Sequence, residues 1–84
     1  MLLRVKVPKI TEENDFIKLV TWYVKDRDFV KKEFPLCLLE TSKALIEVPA
    51  EKDGFVRILK EEGEFVSVEE TICLLADNSD ELLE

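Results

Sequence analysis

The chain has no histidine, only two cysteines, and no stretch longer than six residues without a charge. Each absence removes a class of function. Without imidazole there is no Ser-His-Asp or Cys-His arrangement, no commonest general base and no His-containing zinc site. Cys37 and Cys73 are too few for a metal site unaided or for a disulfide framework, so a reducing cytoplasm is the expected setting. The uncharged runs Leu19 to Val24, Phe34 to Leu39 and Thr71 to Ala76 are too short to cross a bilayer, and Met1-Leu2-Leu3-Arg4 is too short for a signal sequence. No membrane partner is expected.

Basic residues are also outnumbered, 12 against 19 acidic ones, for a net charge of −7. The asymmetry lies in the second half: residues 1–40 hold 8 basic and 7 acidic side chains, residues 41–84 hold 4 and 12. With no basic stripe to meet a phosphate backbone, nucleic-acid binding is excluded as an expectation. At 84 residues, with 46% hydrophobic and 37% charged content, the chain makes one small globular domain. Such a length supports a thin two-layer core and leaves little material to enclose a deep substrate pocket.

What the sequence does contain is an internal repeat. Residues 28–39, Asp-Phe-Val-Lys-Lys-Glu-Phe-Pro-Leu-Cys-Leu-Leu, align without a gap on residues 64–75, Glu-Phe-Val-Ser-Val-Glu-Glu-Thr-Ile-Cys-Leu-Leu, at an offset of 36. Phe, Val, Glu, Cys, Leu and Leu recur identically. Two copies of one strand-turn-strand unit imply two similar sheets related by an approximate two-fold axis. The segments Ile17 to Val24 and Ala44 to Val48 are rich in β-branched and aromatic residues, and no window sustains a capped helical stripe. Eight strands are expected: Arg4 to Val7, Ile17 to Val24, Phe29 to Val30, Leu36 to Thr41, Ala44 to Val48, Gly54 to Leu59, Phe65 to Val66 and Thr71 to Leu75. Pro8, Pro35 and Pro49 fall at strand edges, and Asp53-Gly54 and Glu62-Gly63 carry turn chemistry. The expected fold is all-β, two thin antiparallel sheets packed face to face. Thr41-Ser42-Lys43 then forms a tight turn between consecutive strands, with Lys43 on its exposed tip and Asp77-Asn78-Ser79 as its counterpart. Residues 1–76 form the domain, and residues 77–84 a polar tail, the start of a linker or, at Leu83-Glu84, a cloning remnant.

The stretch Leu39 to Val56, with Glu40-Thr41-Ser42-Lys43-Ala44, then Glu47-Val48-Pro49-Ala50, then Gly54 eleven residues past the lysine, resembles the modification motif of lipoyl domains, the carrier modules of 2-oxoacid dehydrogenase complexes. Val7-Pro8-Lys9-Ile10, Thr21 to Lys25 and Glu62 to Val66 extend the likeness from Val5 to Leu75. The resemblance implies a flattened barrel or barrel-sandwich hybrid of two four-stranded sheets, with lipoate covalently attached to Lys43. Glu40, Thr41, Ser42, Ala44, Glu47 and Gly54 form the surrounding recognition motif. It further implies a swinging arm serving a thiamine-diphosphate-dependent 2-oxoacid decarboxylase, an acyltransferase core and dihydrolipoamide dehydrogenase, after loading by a lipoate-attaching enzyme. The domain itself would be non-catalytic, metal-free and monomeric in isolation, and mitochondrial if cut from a eukaryotic parent.

Two departures stand out. The family has Asp before the lysine where this chain has Ser42, which removes one acceptor and one charge. Its glycines are replaced by Arg27, by Lys32 or Glu33, and by Glu69; at positive φ each replacement costs on the order of 1 kcal/mol. These departures motivate the alternative of an unmodified hammerhead acting as an interaction module. Biotin carriers, with Met-Lys-Met at the tip, and the longer glycine-cleavage carrier fit less well. Cys37 and Cys73 occupy matching repeat positions beside Leu-Leu and read as core residues, as does Trp22 within its strand. Glu61, Glu62, Glu64, Glu69 and Glu70 read as a solvated rim, since no apolar pocket is available to push paired carboxylates apart in pKa.

Overall fold

A computed structural model describes residues 1–9 and 15–82. Ile10 of the Val7-Pro8-Lys9-Ile10 match and the closing Leu83-Glu84 lie outside the described residues. Among the described residues seven strands are formed: β1 (Leu2–Lys6), β2 (Lys18–Trp22), β3 (Phe29–Val30), β4 (Pro35–Glu40), β5 (Leu45–Pro49), β6 (Gly54–Ile58) and β7 (Thr71–Ala76). They make a four-stranded antiparallel sheet of order β1-β7-β6-β3 and a three-stranded one of order β2-β4-β5. The fold is all-β, a flattened sandwich of two antiparallel sheets. The eighth expected strand, at Phe65–Val66, is shorter than a strand: one antiparallel bridge joins Phe65 to Lys18. Flanking amides reinforce it, Leu19 N–H to the Glu64 carbonyl and Val66 N–H to the Ile17 carbonyl, both at 2.9 Å. It fills the fourth place of the second sheet with one Cα pair, where its repeat counterpart β3 makes two on β6.

The offset of 36 extends beyond the aligned segments to relate β2 and β4 to β6 and β7. Lys18–Trp22 maps onto Gly54–Ile58 and Pro35–Glu40 onto Thr71–Ala76. At the centre Leu36, Cys37 and Leu39 of β4 match Ile72, Cys73 and Leu75 of β7, all six fully buried. A bulge between Pro35 and Cys37 lets two successive residues, Leu36 and Cys37, face inward. Burial pushes both thiols up to about 12, so they are inert packing residues at neutral pH. Pro35 and Pro49 face each other at the end of the β4–β5 ladder, where neither missing N–H costs an interior bond. Trp22 is half-buried against the core and donates its indole N–H to the Lys60 carbonyl at 2.8 Å.

Four of the passages between the sheets, those on either side of β3 and of the Phe65 bridge, run through β-turns of one design. In Lys25–Asp28, Lys31–Phe34, Glu61–Glu64 and Ser67–Glu70 the last residue's N–H returns to the first residue's carbonyl at 3.0 to 3.1 Å. The third residue of each is left-handed: Arg27 (φ 75°), Glu33 (78°), Gly63 (93°) and Glu69 (72°). Glu33, not Lys32, therefore takes the place where the family glycine was expected. Each left-handed residue donates its N–H into the sheet the chain is about to enter: Arg27 to Val56 O (2.6 Å), Glu33 to Ala50 O (2.7 Å), Gly63 to Leu19 O (2.7 Å) and Glu69 to Val7 O (2.9 Å). Only one of the four is glycine, so three carry the left-handed penalty of a residue with a Cβ.

Four of the five rim glutamates are exposed as expected, and three of the five, Glu62, Glu64 and Glu70, also accept backbone amides. Asp28 and Glu64, at equivalent positions, accept the N–H of Lys25 and of Glu61, and Glu70 accepts that of Ser67. Glu62 accepts the Trp22 N–H and the Thr21 hydroxyl, both at 2.8 Å, which lowers its pKa. Lys60 pairs with Glu70 at 2.7 Å.

Gly54 is no turn residue. It opens β6, and a Cβ there would lie 2.8 Å from the Ala76 carbonyl oxygen. The described part of the expected polar tail is packed: Ser79–Leu82 form a 3-10 turn, Leu82 is buried, and its carbonyl accepts Arg57 at 2.6 Å. The Met1 ammonium ties this turn down by ion pairs to Asp77 and Glu81, and Lys52 joins Asp77 at 2.8 Å.

Two predictions follow from this stitching. Arg27→Gly, Glu33→Gly and Glu69→Gly each stabilise the fold by about 0.5–1 kcal/mol, the left-handed penalty less the unfolded-state entropy of glycine. Gly54→Ala destabilises it by about 2 kcal/mol or more, because backbone must shift. Urea unfolding of the four variants checks both signs, and three glycine variants no more stable than the parent would refute the strain. The terminal tie has a pH window. Lys52 first, then the Met1 ammonium, holds the Asp77 carboxyl down at about 2, and Glu81 first raises the ammonium's own pKa. A depressed carboxyl stabilises above its unfolded value near ~4 and loses that on falling through about 2; a raised ammonium stabilises below ~8 and loses that above it. Amide exchange in residues 79–82 is therefore slowest between about pH 4 and 8 once corrected for intrinsic rates, and a flat corrected profile would contradict the tie.

Candidate functional site

The two-fold relation assigns the ends of the molecule different jobs. β5 lies on β4 as β1 lies on β7, so the β4–β5 turn corresponds to the gap between Ala76 and Leu2. β3 pairs at the Gly54 end of the first sheet, and β4 starts beside it and runs six residues the other way. The tip of the β4–β5 hairpin thus projects from the end of the sheets opposite Met1 and Asp77.

Thr41 builds that tip. Its side chain is the single buried polar one in the described core, only 6% exposed. Its N–H donates to the Ala44 carbonyl at 2.9 Å, and its Oγ1 accepts the N–H groups of Lys43 (3.2 Å) and Ala44 (3.1 Å). One hydroxyl thereby satisfies two turn amides that would otherwise need water, as an N-cap does for a helix. Ser42 and Lys43 are left at the apex, both exposed. The Lys43 ammonium has no ion-pair or hydrogen-bond partner among the described residues, unlike Lys31, Lys52 and Lys60, which hold Asp53, Asp77 and Glu70.

The remaining expected residues scatter in role. Ala44 is exposed beside Lys43, and with Glu40, Thr41 and Leu45 the two line a shallow concavity of about 360 Å³. Glu40 closes β4 at the base of the tip, opposite Lys18 on one side and Leu45 on the other. Glu47 is not at the tip: it opposes Leu38 inside the sheet and faces Tyr23, whose phenol pKa is raised by partial desolvation and then by the Glu47 charge. Gly54 belongs to the packing of β6 on β7, away from the tip.

Three contributors escaped the sequence reading. Leu45 is 64% exposed beside the lysine, an apolar wall on an otherwise polar apex. Phe16 and Phe65 meet edge to face at 6.1 Å on the same end, largely exposed. Asp15, from the segment before β2, reaches the apex: Ser42 donates its hydroxyl to Asp15 Oδ2 at 2.8 Å and its N–H to Oδ1 at 3.4 Å. Asp15 Oδ1 also accepts the Phe16 N–H at 2.8 Å, which orients the carboxylate. The exposed aromatics are visible as types in the sequence, but their placement at this end is a property of the fold.

A small β sandwich that fixes one unpartnered lysine on a capped hairpin tip defines a carrier-type attachment domain. The family model described as biotin-requiring enzyme, the biotin–lipoyl attachment family, matches residues 4–75, and the chain belongs to that family. It is 36% identical over 69 residues to the lipoamide acyltransferase component of the branched-chain alpha-keto acid dehydrogenase complex of Arabidopsis thaliana, covering 79% of this chain and 14% of that protein. It is 34% identical over 67 residues to the dihydrolipoyllysine-residue succinyltransferase component of the 2-oxoglutarate dehydrogenase complex of Haemophilus influenzae, covering 79% and 16%. To the corresponding Bacillus subtilis component it is 30% identical over 81 residues, covering 95% and 19%. The chain thus spans less than a fifth of the length of these relatives.

The tip geometry makes its own prediction. Thr41→Val keeps the volume but leaves two turn amides without their acceptor, and costs about 1–2 kcal/mol in urea unfolding while speeding amide exchange at Lys43 and Ala44. Thr41→Ser, which retains the oxygen, recovers most of the exchange protection; equal exchange in Thr41→Val and the parent would show that the hydroxyl does not hold the turn.

Proposed function

We propose that this chain is a lipoyl carrier domain whose attachment residue is Lys43. The observation that carries the reading is the unpartnered ammonium on a tip that Thr41 holds fixed, at the end remote from Met1. A modifying enzyme reaches such an amine without unfolding the domain, and an arm attached there swings clear of both sheets. Lipoate is favoured over biotin because Ser42 and Ala44 flank the lysine, where biotin carriers resemble Met-Lys-Met, and because the relatives are named for lipoamide or dihydrolipoyllysine.

The residues present fit an attached group: the apex is open, and Leu45 offers one apolar wall of the concavity beside the amine. A lipoyl group there supplies a dithiolane that carries acyl groups and reducing equivalents. The chain's own part is to hold its attachment point out. Thr41 fixes the turn, the sandwich supplies a rigid base, and tethering raises the effective concentration of the carried group at each partner's active site. Those partners are a lipoate-attaching enzyme, a thiamine-diphosphate-dependent 2-oxoacid decarboxylase, an acyltransferase core and dihydrolipoamide dehydrogenase. The chain performs no chemistry on the carried group itself.

The test is intact mass spectrometry after incubation with lipoate, ATP and a lipoate ligase, and in parallel with biotin, ATP and a biotin ligase, followed by peptide mapping across Leu39 to Lys52. A lipoyl increment on Lys43 is expected, abolished by Lys43→Arg with stability unchanged within about 0.5 kcal/mol. A biotin increment, or none on folded protein, would overturn the reading, the latter in favour of an unmodified interaction module.

A further inference from the structure

Resting on the reading of Lys43 as the modified residue, we propose that the outer face of the second sheet, from Leu45 beside the tip to Tyr23, is where the lipoate-attaching enzyme docks, through a basic, leucine-bearing segment. The molecule carries a covered equivalent of this face. On the outside of the first sheet Leu2, Leu59 and Leu74 line a groove that the 3-10 turn closes with Leu82, while Arg57 donates to the Leu82 carbonyl at 2.6 Å. The offset of 36 carries Leu59 and Leu74 onto Tyr23 and Leu38, and the strand registers carry Leu2, opposite Ala76, onto Leu45, opposite Glu40. Among the described residues no turn takes the place of Leu82 on the second sheet: Tyr23 is 42% and Leu45 64% exposed. Leu45 lies on β5, the edge strand on the far side of β4 from β2.

The same equivalence reverses the charge. On the first sheet Arg4 and Arg57, both paired with Leu74, share a face with a turn that carries Asp80 and Glu81. Their counterparts, both paired with Leu38, are Glu47 and Thr21, and the Thr21 hydroxyl is donated to Glu62. Glu40 adds a third carboxylate, opposite Lys18. Carboxylates accept hydrogen bonds where arginine donates them, so the open face is matched by a segment that brings donors and positive charge together with an apolar side chain.

The position of the face selects the enzyme. A stable contact takes roughly 800 Å² from each partner, far more than Ser42, Lys43 and Ala44 supply, so an enzyme whose active site reaches Lys43 must extend beyond the apex. Leu45 leads from the apex onto this face, since it also lines the concavity at Lys43. Partners that act on the dithiolane meet it at the end of the arm, whereas the attaching enzyme works on Nζ itself and has to cover the surface around it.

The experiment measures the rate at which lipoate ligase, with lipoate and ATP, modifies the whole chain and three variants, reading KM and kcat separately at low and high salt. Glu47→Lys is expected to lower kcat/KM about ten-fold, mainly through KM, with the gap closing in ~1 M salt. Tyr23→Ser lowers it about five-fold at either salt, because it removes an apolar contact. Leu59→Ser, the equivalent change on the covered face, stays within about two-fold of the parent. Thermal melts of each variant report folding separately. In the Lys43→Arg chain, which cannot be loaded, added ligase is expected to shift the amide resonances of residues 21–23 and 44–47 and to leave those of residues 2–4 and 57–59 in place. Parental kcat/KM in Glu47→Lys or Tyr23→Ser, a loss as large in Leu59→Ser, or unmoved resonances at 21–23 would overturn the proposal while leaving Lys43 as the modified residue. So would a concentration-dependent dimer abolished by Tyr23→Ser, which gives the face to a second copy of the chain. A parent chain that takes up no lipoyl group would overturn both.

Discussion

The structure hangs on four backbone amides. Each belongs to a left-handed residue, and each is donated into the sheet that the chain is about to join. A sandwich of strands only two to six residues long cannot rely on long ladders, so its sheets are held in register where the chain crosses between them. Left-handed geometry at the third residue of each turn aims that N–H at its acceptor. Three of the four positions carry Arg or Glu, and the domain tolerates the strain because the bond gained there also fixes the strands on either side.

From this stitching the rest follows in order. The 36-residue offset places equivalent side chains, Leu36 with Ile72 and Cys37 with Cys73, into one core. The same relation leaves one position where consecutive strands of a sheet join directly, the β4–β5 hairpin, while its counterpart is the Ala76 to Leu2 gap closed by the Met1, Lys52, Asp77 and Glu81 charges. The two ends of the molecule are thus closed differently, by a Thr41-capped hairpin at one and by charges at the other.

Much of this was legible in the sequence because the repeat is local and ungapped. Seven of eight strands fall within two or three residues of expectation, and the replaced family glycines mark three of the four left-handed turns. The tight turn at Thr41-Ser42-Lys43, with Lys43 exposed, was legible because turn chemistry is set by adjacent residues. What escaped needed tertiary contact. Asp15 reaches Ser42 across 27 residues, and three of the rim glutamates, Glu62, Glu64 and Glu70, also accept backbone amides. Gly54 resembles a turn signal after Asp53, whereas its requirement is the Ala76 carbonyl of the neighbouring strand. Residues 79–82 look polar in composition, but Leu82 buries against the sandwich and draws them in.

If Lys43 is the attachment residue, as proposed, the folded sandwich and not the tip sequence by itself selects it among the nine lysines of the chain. This selection is tested most directly by comparing lipoate-ligase kinetics on the folded chain with those on a peptide spanning residues 37–49, and by mapping every modified lysine. Modification of Lys43 alone is expected in the folded chain, with the peptide at least about ten-fold slower, because the free segment must first order the turn that Thr41 and its flanking strands hold ready. A peptide modified as fast as the folded chain, or label spread over other lysines, would contradict it.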